Sequence, residues 1–195
     1  MDRRQFSKSL AFAGISASLG SALLPTQARS EETEAYITED GLYSEPWFLE
    51  SFLELQDDRI EAMEKGKHFA IMWELKGCPY CKETHLVNFA DKKINKYVQD
   101  NFEILQLNYI GSRIVTDFDG EEMSEKELAR KYGVRFTPTF QFFPRSDKTL
   151  STLTPKDREA ARFPGYMKPE HFNQMFQYVK QEVYLEKSFR KFLKS

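Results

Sequence analysis

The chain has 195 residues and two cysteines, both within the stretch GCPYCKETH at positions 77–85. Two thiols spaced this way can serve as a redox couple, as half of a metal site, or as incidental packing. As a structural staple the pair would do little. The stabilisation from a disulfide grows with the loop it closes, and Cys78 and Cys81 enclose only Pro79 and Tyr80. Dithiol chemistry also needs a thiolate, which a thiol with an ordinary pKa of about 8.5 supplies sparingly at neutral pH. A place at the start of a helix corrects this, because unpaired backbone N–H groups and the positive end of the helix dipole stabilise a sulfur anion. Pro79 suits a first helical turn, where its missing N–H would lack a partner anyway. The spacing therefore predicts Cys78 as nucleophile. Cys81, better shielded within the first turn, is the thiol that resolves a mixed disulfide formed at Cys78.

A metal reading draws on the same residues. Zinc asks for four ligands, and beyond the cysteines the chain offers His68, His85 and His171. His85 lies two helical turns after Cys78, so Cys78, Cys81 and His85 could meet a metal on one side; a fourth ligand is not visible. The preferred expectation is no metal and no cofactor, with His85 bonded locally in its helix and His68 and His171 structural or solvated. A second feature is Thr137-Pro138 inside the apolar run VRFTPTFQFF. Proline removes a ladder donor, so it is unexpected there unless it sits in a cis peptide bond or on an edge strand or turn.

The surrounding pattern supplies elements to hold these residues. HFAIMWEL, 68–75, reads as a buried strand leading into the cysteines and then a long helix to about Asn101, with His85, Phe89 and Ile94 near one side. FEILQLNYI, 102–110, is the next strand, and residues 113–123 form a hairpin turning at Asp119-Gly120. Ser124 and Glu127 make a capping box for a short helix through Tyr132, closed by Gly133. Residues 145–163 hold a strand and a connector. A helix runs from Pro169 to the C-terminus with Phe172, Phe176, Val179 and Val183 inward. Upstream, Phe48, Phe52 and Leu55 space as one helical face from Glu45. A second helix, capped by Asp57 or Asp58 and ended by Gly66, carries Ile60 and Met63. Residues 29–44 read as a mobile acidic leader.

The first 28 residues differ in kind. Arg3-Arg4 opens a basic start, residues 10–24 are weakly apolar and rich in Gly, Ser and Ala, and Thr26-Gln27-Ala28 offers small residues for cleavage. This resembles a twin-arginine (Tat) export signal. An uncleaved membrane anchor is the alternative, but a span needs about 20 predominantly apolar residues. Cleavage near Ala28 leaves a periplasmic chain, in a compartment that permits disulfides. The formal charge of −2 gives no global attraction to nucleic acid, and a monomer is expected.

The order strand, Cys78-Pro79-Tyr80-Cys81, helix, Thr137-Pro138, strand, terminal helix resembles the thioredoxin fold. It implies an α/β class: a central mixed sheet flanked by helices, here with an N-terminal helical extension and a hairpin insertion before the cis-proline loop. GCPYCKETH, QLNYIGSRIVTDFDGEEMSEKELARKYGV, FTPTFQFFP and RFPGYMKPEHF look closer still to the SoxW-type thioredoxins of bacterial sulfur-oxidation (Sox) systems. That resemblance implies a thiol–disulfide oxidoreductase with Thr137 and Pro138 holding the substrate chain. Its electrons would come from a membrane thiol transporter of the CcdA or DsbD kind. Its substrate would be a protein disulfide, with the Sox sulfur-carrier protein as candidate. An oxidase or isomerase would use the same residues in the other direction. Three departures stand out: Gly77 where such proteins commonly have Trp, Met72 where they bury an Asp, and no Gly-Gly pair after Pro138. Glu74 is the nearest acid on the strand face of Met72, and Pro79, Tyr80, Glu74 and His85 are expected to tune the couple.

Overall fold

The computed structural model describes residues 34–146 and 149–194; the stretch read as an export signal lies outside them. Four strands form the central sheet. β3 (His68–Glu74) runs parallel to β4 (Phe102–Asn108) and antiparallel to β7 (Thr139–Phe142), which pairs antiparallel with β8 (Ala161–Pro164). β3 is buried along its whole length, as its unbroken apolar run requires of a central strand. Alternation then divides the core. Phe69, Ile71 and Trp73 point to one side, against α1 (Leu55–Glu64) through Ala62 and α4 (Glu125–Lys131) through Leu128 and Ala129. Ala70 and Met72 point to the other, with Phe89, Val98 of α3 (Lys92–Asn101), and Phe172, Phe176 and Val179 of α5 (Pro169–Lys180).

Packing fixes α5. Phe176 sits edge-on to Phe102 at 4.9 Å between ring centroids, and burying a phenylalanine is worth roughly 1.5–3 kcal/mol. The hairpin of β5 (Ile114–Thr116) and β6 (Glu122–Ser124) turns through Asp117–Glu121 and delivers Ser124 as the cap of α4, with both halves of the capping box formed.

Four expectations change. Residues 45–54 are not helical, and α1 starts at Leu55 after Glu54, so Asp57 and Asp58 lie in its first turn rather than at its cap. Leu53 takes φ 66, its N–H donates to Ser51 Oγ at 2.6 Å, and Leu49 N–H donates to Ile104 O at 2.9 Å, so the segment is laid along the sheet edge. Phe48 is buried while Phe52 is fully exposed, which no single helical face allows. The leader is structured from Tyr36, where β1 (Tyr36–Ile37) pairs with β2 (Tyr43–Ser44). The long helix after the cysteines is three pieces: α2 (Pro79–Glu83), a π-helical segment Thr84–Phe89, and α3, recapped by Asp91 accepting from Lys93 N–H and Ile94 N–H. The π segment absorbs an extra residue, so His85, Phe89 and Ile94 still all face inward. Finally α5 stops at Lys180, where Glu182 enters the left-handed region, and the tail folds back so that Tyr178 Oη donates to Lys187 O at 2.7 Å.

Candidate functional site

β3 ends in a tight turn at whose close Cys78 N–H donates to Leu75 O at 3.1 Å. Gly77 within that turn has φ 78. A side chain at Gly77 would find open space but a strained backbone, which gives a local reason for glycine where Trp is common. Cys78 then caps α2 in an extended conformation, and Cys81 N–H donates to Cys78 Sγ at 3.1 Å. The two cysteines are joined as a disulfide with Cα atoms 5.3 Å apart. Cys78 is half-buried and Cys81 is 2% exposed. One sulfur can be approached from solvent and the other cannot.

Thr137-Pro138 is a cis peptide bond, and Thr137 O lies 3.4 Å from Cys78 Sγ. A loop 59 residues downstream is thereby set against the accessible sulfur. Pro138 is buried, and its carbonyl accepts from Gly165 N–H at 2.7 Å. Exposed aromatic surface flanks the pair. Phe136 is open to solvent, and Tyr80 is exposed with its ring stacked on Tyr166 at 6.0 Å. Pro79 occupies the first turn of α2.

Beneath the disulfide lies a cluster that the sequence did not reveal. His85 is buried, with Nδ1 2.8 Å from Glu45 Oε1 and Nε2 3.1 Å from Glu74 Oε1. Glu74 is also buried, on the β3 face that carries Met72, and its other oxygen accepts from Gln106 Nε2. Gln106 reaches back to Tyr43 O as well. Each ring nitrogen of His85 faces a carboxylate oxygen, an arrangement that favours the imidazolium, in which both nitrogens donate. Burial alone would push its pKa down; the bonds to Glu45 and Glu74 outweigh burial and lift it to about 9. The expected local bonding of His85 is thus replaced by bonds to residues 40 and 11 positions away. Both ring nitrogens of His85 face carboxylate oxygens, so the ring has no free nitrogen to join Cys78 and Cys81 in the metal reading. Among the described residues no group of three or more His, Cys, Asp or Glu is arranged to hold a metal. His68 is buried beside Phe102, and burial, then Lys180 and Arg145, pushes its pKa down to about 4; His171 is exposed. Sequence reasoning missed Glu45, and its only signal was an acid at the start of a segment read as a helix.

A cysteine pair closed across a first helical turn, with a cis-proline loop against the accessible sulfur, defines a thioredoxin-type site. Residues 55–180 match the model of the thioredoxin-like domain, and the chain belongs to that family, whose members are generally thiol–disulfide oxidoreductases. Among solved structures, a thioredoxin-fold protein from Helicobacter pylori matches with 24% identity and a TM-score of 0.52, over 66% of this chain and 80% of that one. A thioredoxin from Thermus thermophilus matches with 20% identity and a TM-score of 0.48, over 64% and 82%. The first likeness supports the mixed-sheet thioredoxin fold. No curated protein matches the chain.

Proposed function

We propose that the protein is an exported thiol–disulfide oxidoreductase that works as a reductase of extracytoplasmic protein disulfides. The carrying observation is the Cys78–Cys81 pair, half-open at Cys78 and closed at Cys81, with Thr137 O 3.4 Å from Cys78 Sγ. In the reduced protein the Cys78 thiolate attacks one sulfur of a substrate disulfide. The substrate's second sulfur leaves as a thiolate and takes a proton. Cys81 then attacks Cys78 Sγ, the mixed disulfide breaks, and the substrate departs as a dithiol while the Cys78–Cys81 bond re-forms. A dithiol donor returns two electrons and two protons. Thr137 and Pro138 hold the substrate chain extended beside Cys78, in the manner of an added strand.

The export reading rests on Arg3-Arg4, the weakly apolar stretch and Ala28, and places the protein in the periplasm after a Tat-type signal. The likeness of GCPYCKETH and its companion stretches to SoxW-type thioredoxins supports the Sox sulfur-carrier protein as substrate and a membrane thiol transporter of the CcdA or DsbD kind as donor.

Insulin reduction tests the activity: the parent protein turns over with a dithiol supply, and Cys78→Ser does not. Full turnover by Cys78→Ser removes the mechanism. The reduction potential tests the direction. A value around −270 mV supports a reductant, and one around −120 mV makes the protein an oxidant instead.

A further inference from the structure

Glu45 lies ten residues before the part of the chain that matches the thioredoxin-like family, yet its carboxylate reaches the centre of the domain. The segment carrying it is tied down independently of Glu45, through Leu49 N–H to Ile104 O at 2.9 Å and through Leu53 O accepting from Thr116 N–H at 2.9 Å. The carboxylate is therefore placed by backbone on both the sheet edge and the hairpin. His85, which it meets, follows Cys81 by four residues in one continuous helical run, a spacing that makes side chains neighbours at roughly 5–6 Å between Cβ atoms. Cys81, His85, Glu74 and Glu45 are all buried.

Resting on the reading of Cys78 and Cys81 as a redox couple, we propose that Glu45 is a positioning residue of the redox centre: with Glu74 it holds His85 as an imidazolium one helical turn below Cys81, so that the reduced, thiolate-bearing state works against a fixed positive partner.

The groups around the ring are few. Glu45 and the Tyr43 ring face it from the N-terminal segment, and Glu74 from β3. From β4, Gln106 donates to Glu74 and to Tyr43 O, and Arg113 beyond it donates to Gln106 O at 3.1 Å. Phe48 and Phe89 close the remaining sides. A charge sealed in this way responds to the sulfurs, because an added negative charge nearby favours the protonated imidazole, and the coupling is reciprocal.

The test follows the His85 ring signals by NMR across pH in the full chain, oxidised and reduced. The ring is expected to titrate near pH 9 in the oxidised protein and higher in the reduced protein, where a thiolate has been added. In Glu45→Gln both midpoints should fall by about one unit or more, the usual effect of losing one close opposite charge. Phe48→Leu loosens the same packing with every charge kept, and should leave the midpoints in place. Equal midpoints in the oxidised and reduced parent overturn the proposal, as does a Phe48→Leu shift matching that of Glu45→Gln. If Glu45→Gln does not fold, Glu45→Asp takes its place: the charge on a shorter arm should lower both midpoints, and midpoints equal to the parent's overturn the role of Glu45. The titration uses no substrate, so it can fail while insulin reduction succeeds, and the reverse.

Discussion

Two buried charge clusters lie on opposite sides of β3, and they are built from different materials. On the side of α1 and α4, Arg158 donates to Asp117 at 2.7 Å, to Asp119 at 2.8 Å and to Leu150 O at 3.0 Å. Lys131 bridges Asp117, Asp119 and Glu121, and Tyr132 Oη donates to Asp117 Oδ1. Burial opposes the charges of Asp119 and Lys131, but their mutual bonds prevail: Asp119 is held well below the usual carboxylate range and Lys131 well above the usual lysine range. Those groups stay ionised at any pH at which the protein works. On the side of α3 and α5, the cluster below the cysteines places the ring of His85, the one cation type whose ordinary pKa lies near the physiological range, between Glu45 and Glu74. The first cluster fastens the hairpin and the residues after β7 into the core. In the second, His85 lies on the helical run that carries Cys81, four residues after it. The first set of charges lies far from its titration range, while the second loses its charge within reach of mildly alkaline pH.

The contrast makes measurable differences. Arg158→Met leaves Asp117 buried with one cation fewer, and should cost about 3–5 kcal/mol in urea unfolding at neutral pH, the usual result of breaking a buried pair from one side. That cost should be nearly constant from pH 6 to 9. The His85 cluster should behave otherwise. Its folded pKa is raised from 6.5 to about 9, so its stabilisation is complete below about pH 6.5 and is lost as pH rises through about 9. On the order of 3 kcal/mol should disappear across that window, and His85→Gln should flatten the slope while Arg158→Met keeps it. A slope that survives His85→Gln would assign the alkaline loss to other groups. The smallest effect belongs to the hairpin's exit. Ser124→Ala removes the cap of α4 and should cost about 1 kcal/mol with no change in either pH dependence, as read from thermal unfolding at two pH values.

Much of the frame could be read in advance, where a signal was local. HFAIMWEL is central because it is apolar on both faces; the capping box and the Asp119-Gly120 turn depend on residues within a few positions of one another. The N-terminal segment could not be read this way. Phe48, Phe52 and Leu55 have helical spacing, but Leu53 turns left-handed and Ser51 Oγ bonds its N–H, a conformation chosen by pairing with β4 and β5 rather than by propensity. The same limit hid Glu45, whose partner His85 is 40 residues away. Alternation put Glu74 on the face of Met72, but only the fold shows it buried and bonded to His85 and Gln106. The cysteines and Thr137-Pro138 were visible as residue types; the fold supplies their 3.4 Å approach.

The most direct measurement is a trapping experiment with Cys81→Ser, in which Cys78 is the only thiol. Incubated with a disulfide-bonded substrate, the variant should gain the substrate's mass through a reducible bond at Cys78 and hold it, because nothing remains to resolve it. If no adduct forms at Cys78 while the variant is folded, Cys78 is not the attacking sulfur and the redox reading of the pair is wrong.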